Sequence, residues 1–147
     1  MSIVATLTEV EVKQFVIDWY RKLDVHAPVD ELLPRLAAEG LEVRLPETTL
    51  YSHADFINWY EGVTRKFFNE VHTMKELHVT IASGQADVQL VVNWQAFIWN
   101  APAPKSQWLG FDAAQSWVVK PSEEDGRLLV VTYIVDALTP MPGSPDL

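Results

Sequence analysis

Two residues of this chain have the type and position for acid–base chemistry: His72 and Glu47. His72 falls where a helical pattern gives way to a run of strands, and an imidazole in apolar surroundings transfers protons readily near neutral pH. Glu47 follows a short strand ending at Pro46, where desolvation would make its carboxylate a useful base. Each residue has a plainer reading. His72 also fits a hydrogen-bonded histidine at a sheet edge, and Pro46-Glu47 an ordinary polar turn. No metal is expected. Of the four histidines, His26, His53, His72 and His78, no two are spaced His-x-x-x-His on a helix. Strand alternation puts His72 and His78 on one face but about 20 Å apart, too far for a shared ion, while Glu76 and His78, roughly 6.6 Å apart, suit an edge contact. The sequence has no Gly-x-Ser-x-Gly elbow, phosphate-binding glycine loop or dinucleotide fingerprint, so no cofactor is expected.

The surroundings of these residues are aromatic. The stretches Val16-Ile17-Asp18-Trp19-Tyr20-Arg21-Lys22-Leu23 and Phe56-Ile57-Asn58-Trp59-Tyr60-Glu61-Gly62-Val63 nearly repeat each other. In both, an apolar residue, the Trp-Tyr pair and a later aliphatic form one helical stripe. Two helices striped this way need a large apolar surface to cover, and the strands that follow supply it. Trp and Tyr are core residues first, but their polar tips also suit a cavity wall. Trp19, Tyr51, Tyr60, Trp94, Trp117 and Tyr133, together with His72, are the candidate ligand-binding residues. Neighbouring Trp and Tyr on a helix point about 100° apart, so each pair presents one member to a cavity better than the other; Trp19 and Tyr60 are preferred. Asp136 reads as a solvated acid at a strand end.

The totals limit the partners. A chain of 147 residues is one domain by size, with an ordered core over about 8–138 and a Pro-rich tail over 139–147. A net charge of −9 argues against nucleic acid or an anionic bilayer as the main partner. Arg21-Lys22 and Arg65-Lys66 are the basic doublets and read as solvated helix faces. The absence of cysteine removes disulfides and thiol chemistry and fits a cytoplasmic setting. The start, Met1-Ser2-Ile3-Val4-Ala5-Thr6, lacks the features of a secretory leader, and no apolar run approaches the ~20 residues of a membrane span.

The pattern predicts the elements in order. Thr8 and Glu11 form a capping box for a helix over Glu9–Leu23. Pro28 and Pro34 open two short helical pieces, and Gly40 ends them. Leu41, Val43 and Leu45 alternate as a short strand. Ser52 caps the next helix, whose Gly62 costs up to ~1 kcal/mol of propensity and is read as allowing another backbone close. Long strands are expected over Val71–Ala82, Ala86–Trp99, Gln107–Val119 and Leu128–Leu138, joined as an antiparallel meander. Val88, Leu90, Val92, Trp94, Ala96 and Ile98 share one face of the second. The opposite face, with Val91, Phe97 and Trp99, is too apolar for water, which suggests a homodimer through the outer sheet face.

This order resembles the nuclear transport factor 2-like superfamily, and most of all its SnoaL-like branch. The resemblance rests on Phe15 to Asp24, Leu45-Pro46-Glu47, Phe56 to Val63, Glu70-Val71-His72 and Tyr133 to Asp136. It implies an α+β cone: three N-terminal helices packed in the concavity of a strongly curved, mostly antiparallel sheet that leaves an apolar cavity. It also implies that His72 lies near the catalytic histidine of the superfamily's dehydratases and Glu47 near the carboxylate base of its isomerases. Three functions are then open: binding of a small hydrophobic molecule, dehydratase, isomerase or cyclase chemistry on a hydrophobic ring, or a non-catalytic protein-binding adaptor.

Overall fold

Helix caps and strand alternation account for most of the architecture in a computed structural model, which describes residues 7–147. The reading of Met1–Thr6 lies outside the described residues. Helix α1 spans Glu9–Asp24, and the Thr8 hydroxyl accepts the Glu11 amide at 3.2 Å. Its buried stripe is Val12, Phe15, Val16, Trp19 and Tyr20. The two Pro-initiated pieces are single 3₁₀ turns, Val29–Glu31 and Leu33–Arg35. Strand β1 (Glu42–Arg44) pairs with a two-residue strand, β2 (Thr49–Leu50), that alternation over so short a stretch could not reveal. Helix α2 covers His53–Lys66; Ser52 Oγ accepts the Asp55 amide at 3.1 Å.

The sheet then runs through β3 (Phe67–Ala82), β4 (Gln85–Ile98), β5 (Gln107–Pro121) and β6 (Leu128–Pro140). These four form the expected antiparallel meander, and β1 joins β6 in parallel, giving the order β2-β1-β6-β5-β4-β3 in an open sheet. The β4 parity read from the sequence holds. Ala86, Val88, Leu90, Val92 and Ala96 are buried toward the helices, with Phe111, Ala113, Trp117 and Val119 of β5 on the same side. Thr139 and Pro140 belong to β6, opposite Asp112 and Phe111. Beyond them the chain stays on the sheet: the Met141 amide donates to the Gly110 carbonyl at 2.9 Å, and Ser144 Oγ accepts the Gly110 amide at 3.0 Å.

Two irregularities in β3 decide which side chains face inward. The strand starts at Phe67 with no loop after α2, and its register shifts between Phe68 and Val71 and again between Met74 and Glu76. Strict alternation from the buried Phe67 would aim Asn69 and Val71 at the helices and His72 at solvent. The first bulge, with Asn69 at φ 51°, inserts one residue and turns Glu70 and His72 inward instead. The second bulge reverses parity again, so His78, opposite Gln89, is on the outer face. His72 and His78 therefore do not share a face, contrary to simple alternation.

Gly62 also differs from expectation. A Cβ there would meet nothing within 4 Å, so no backbone approaches it; the glycine borders a void. Gly62→Ala is expected to raise stability by about 0.5–1 kcal/mol through helix propensity, measurable by urea denaturation.

Candidate functional site: an aromatic-walled cavity under the sheet

Between α2, the end of α1 and the inner face of β3–β6 lies a cavity of about 640 Å³. That is the size range of pockets that bury small organic molecules. Its walls are largely apolar, with Trp59, Tyr60, Phe67, Trp94 and Tyr20 among them, and a few polar groups converge on it. The Trp-Tyr pairs divide as helix geometry requires, but not with the expected members. In α1 it is Tyr20 that reaches the cavity. Trp19, preferred from sequence, packs in the core with ring centroids 5.8 Å from Phe56, 6.3 Å from Trp117 and 6.5 Å from Tyr133. In α2 Tyr60 lines the wall as expected, and the half-buried Trp59 stands beside it.

His72 reaches the cavity wall, and a residue that the sequence reading did not single out holds it there. Asp24, the last residue of α1, accepts the His72 backbone N–H at 2.8 Å and the ring Nδ1 at 2.6 Å, both on Oδ1. An ionised carboxylate can only accept, so Nδ1 carries a proton, and in the neutral ring Nε2 holds the lone pair. A negative side chain at a helix C-terminus opposes the macrodipole. His72 is the group that gives Asp24 a reason to be there. The imidazole lies 4.9 Å from the Tyr20 ring and 6.4 Å from Trp94, centroid to centroid, with its side chain 9% exposed.

Two further carboxylates line the cavity, Glu70 inside it and Glu47 at its rim. Glu70 lines the cavity, accepts Trp94 Nε1 at 3.0 Å on one oxygen and contacts His26 Nε2 with the other. Glu47 lies on the exposed rim and accepts Trp59 Nε1 at 2.9 Å. The rim position follows from the turn after β1, which stays in solvent. A third polar group is the Tyr20–Gln115–Tyr133 cluster. Gln115 Oε1 accepts both Tyr20 Oη at 2.9 Å and Trp117 Nε1 at 2.9 Å, and the two tyrosine hydroxyls are 3.2 Å apart. Gln115 lines the cavity with its oxygen engaged by these two donors.

Of the other candidates, Trp94 and Tyr133 line the cavity. Trp117 is 1% exposed and sits behind it, 4.7 Å from Tyr133, because its ring fills the core between α1 and β6. Tyr51 is 64% exposed, since the β2 pairing turns it outward. Asp136 accepts Ser116 Oγ at 2.7 Å on the exposed side. Among the described residues no group of three or more His, Cys, Asp or Glu could hold a metal ion.

No protein-family model matches the chain, and a search of curated proteins finds no match. Solved structures do match. A protein of Novosphingobium aromaticivorans provisionally named an aromatic ring hydroxylase superposes with a TM-score of 0.73 at 14% identity, over 92% of this chain and 96% of that one. A protein of Streptomyces avermitilis, provisionally named a dehydratase of the NTF2-like family, gives 0.72 at 13% identity, over 90% and 97%. A cystatin-like protein of Nostoc punctiforme with unknown function gives 0.67 at 11%, over 98% of each chain. This is the nuclear transport factor 2-like fold. At such identities the likeness concerns architecture, and what a nuclear transport factor 2-like cavity does must be argued from its own side chains.

The tyrosines of this cone give a measurable signature. Burial raises the Tyr20 phenol well above its usual range. Tyr60 is pushed up to about 12 by burial and by the nearby Glu70 and Glu31 charges, and Tyr133 to about 12 by burial. All three therefore stay protonated near neutral pH. For Tyr60 and Tyr133 the unfolded chain loses the proton near pH 10 and the folded one near 12, so above pH 10 unfolding releases protons, and the raised Tyr20 acts in the same direction. The contribution of Tyr60 and Tyr133 is complete below pH 10 and disappears as the pH rises through about 12. Phenolate absorbance is expected to appear for Tyr20, Tyr60 and Tyr133 together with loss of far-UV circular dichroism; phenolate forming in an intact fold would contradict it.

Proposed function

We propose that the chain binds a small hydrophobic ring compound carrying a carbonyl and acts on it by proton transfer, as a dehydratase or isomerase does. The observation behind this reading is the Asp24–His72 pair, which fixes the imidazole tautomer and leaves Nε2 as the proton acceptor of a cavity-lining residue. Aromatic walls supply affinity for a ring. The Gln115 amide suits the ligand's carbonyl oxygen, and Asp24 stabilises the imidazolium formed when Nε2 takes a proton. A binding protein without chemistry needs no oriented histidine. Structural neighbours named as dehydratases agree with the reading without establishing it.

The test is a panel of cyclic hydroxyketones and unconjugated enones, scored by Trp fluorescence, melting temperature and appearance of a conjugated product by ultraviolet absorbance. A ligand at 100 times its Kd adds about 2.7 kcal/mol. For a chain this long that is a rise of roughly 5–10 °C. A panel that alters neither fluorescence nor melting temperature would defeat the reading.

An intracellular homodimer belongs to the same proposal. Phe68 and Phe97 stack at 6.0 Å on the outer sheet face, and Trp99 is 56% exposed near them, so a second copy has an apolar surface to cover. The lack of cysteine suits a reducing compartment. Sedimentation as a monomer at micromolar concentration would exclude the dimer.

A further inference from the structure

We propose that Glu70 is a second acid–base group of the cavity and that His26 relays its proton to and from solvent. The inference rests on the proton-transfer reading above and adds a second catalytic residue to it. Three observations carry it. Glu70 lines the cavity with its side chain only 11% exposed, while its His26 partner, 27% exposed, lines a separate surface recess with Arg21, Lys22 and Arg35. The Glu70–His26 contact thus connects the inside of the cone to its outside.

The second observation is the backbone on which each partner sits. Helix α1 ends in paired bonds, the His26 amide to the Leu23 carbonyl and the Ala27 amide to the Lys22 carbonyl, with His26 at φ 49°. This is the left-handed position after a helix that glycine normally occupies. A histidine there carries a cost of left-handed backbone that its imidazole must justify. Glu70 in turn follows Asn69, the left-handed residue of the β3 bulge. Unfavourable conformations on both elements are what bring the pair together. Third, His72 and Glu70 are inward neighbours on the same strand, about 6–7 Å apart along it, with Trp94 beside both. Two groups at that spacing can serve two atoms of one small ring.

In an allylic isomerisation His72 Nε2 takes a proton from the carbon between the carbonyl and the alkene. The C–H electron pair shifts the double bond into conjugation, and Glu70, in its protonated form, delivers a proton to the far alkene carbon. Nothing is oxidised or reduced. As product leaves, His72 Nε2 gives its proton to water entering through the exposed rim, while Glu70 regains its proton from His26 Nε2 and His26 recovers one from the surface recess; running the other way, the relay empties Glu70.

The experiment uses cyclohex-3-enone in D₂O with the full chain, following conjugated enone by absorbance and deuterium at C4 by mass spectrometry. The unsubstituted protein is expected to give product deuterated at C4. Glu70→Gln should lower kcat by about 10²-fold or more, the scale of one general acid–base group. His26→Asn, which tolerates the left-handed backbone but cannot relay a proton, should lower kcat and deuterium content with KM and melting temperature unchanged. If Glu70→Gln or His26→Asn keeps full kcat and deuterium content while His72→Gln is inactive, the inference falls and the reading of the cavity stands. A protein that neither binds nor converts the enone overturns both.

Discussion

Replacing Asp24 by Asn is expected to cut turnover by about 10²–10⁴-fold while leaving ligand affinity and fold nearly unchanged. The asparagine oxygen can still accept the His72 backbone N–H that Asp24 now holds at 2.8 Å. Because Asp24 holds Nδ1 on that same oxygen, at 2.6 Å, the asparagine oxygen keeps the tautomer too, and what the substitution removes is the negative charge beside Nδ1. That charge is what steadies the imidazolium formed when Nε2 takes a proton. His72→Gln should cost a similar factor, and the double substitution hardly more than either alone, because the two residues act as one unit. The measurement is kcat on a converted member of the ligand panel, with affinity taken from Trp fluorescence. Loss of affinity in place of turnover would make Asp24 a structural anchor only.

Trp117→Ala is the substitution expected to harm the fold most, by about 3–5 kcal/mol. At this chain length that lowers the melting temperature by roughly 10 °C or more. The ring is 1% exposed and touches Trp19, Tyr20 and Tyr133, with centroids 6.3, 5.9 and 4.7 Å away. Its loss leaves a cavity that these rigid neighbours cannot collapse into, and deprives Gln115 Oε1 of one of its two donors. Trp59→Ala, by contrast, removes a half-buried rim residue and should weaken ligand binding far more than stability. Urea denaturation and ligand titration on both variants test the division between core and wall. A cost below 1 kcal/mol at Trp117 would refute it.

How far the site was legible depended on the range of the interactions that build it. His72 was visible because a lone histidine at a helix–strand junction stands out. Asp24, which holds it, lies 48 residues earlier at a helix end and carries no local mark beyond a charge of the wrong sign for that position. His26 was seen only as one of four histidines, since nothing nearby says that it will replace the usual glycine and meet Glu70 44 residues on. Glu47 was singled out because it follows a recognisable strand, whereas nothing local marked Glu70, which a bulge set by pairing with β4 turns inward. Tyr20 and Trp19 were told apart only by the direction from which the sheet meets α1.

By itself the sequence determined what repeats over short distances: the caps at Thr8 and Ser52, the two aromatic stripes, the four long strands and the inward parity of β4. These follow from side-chain periods of 3.6 and 2, which every residue of an element restates. Tertiary structure alone decided the bulges at Asn69 and Lys75, the parallel docking of β1 on β6 and the carboxylate–histidine pairs. A bulge shifts parity by one residue for the sake of a neighbouring strand, and a hydrogen bond between distant residues depends on where the whole chain has carried them. Neither leaves a local period to read.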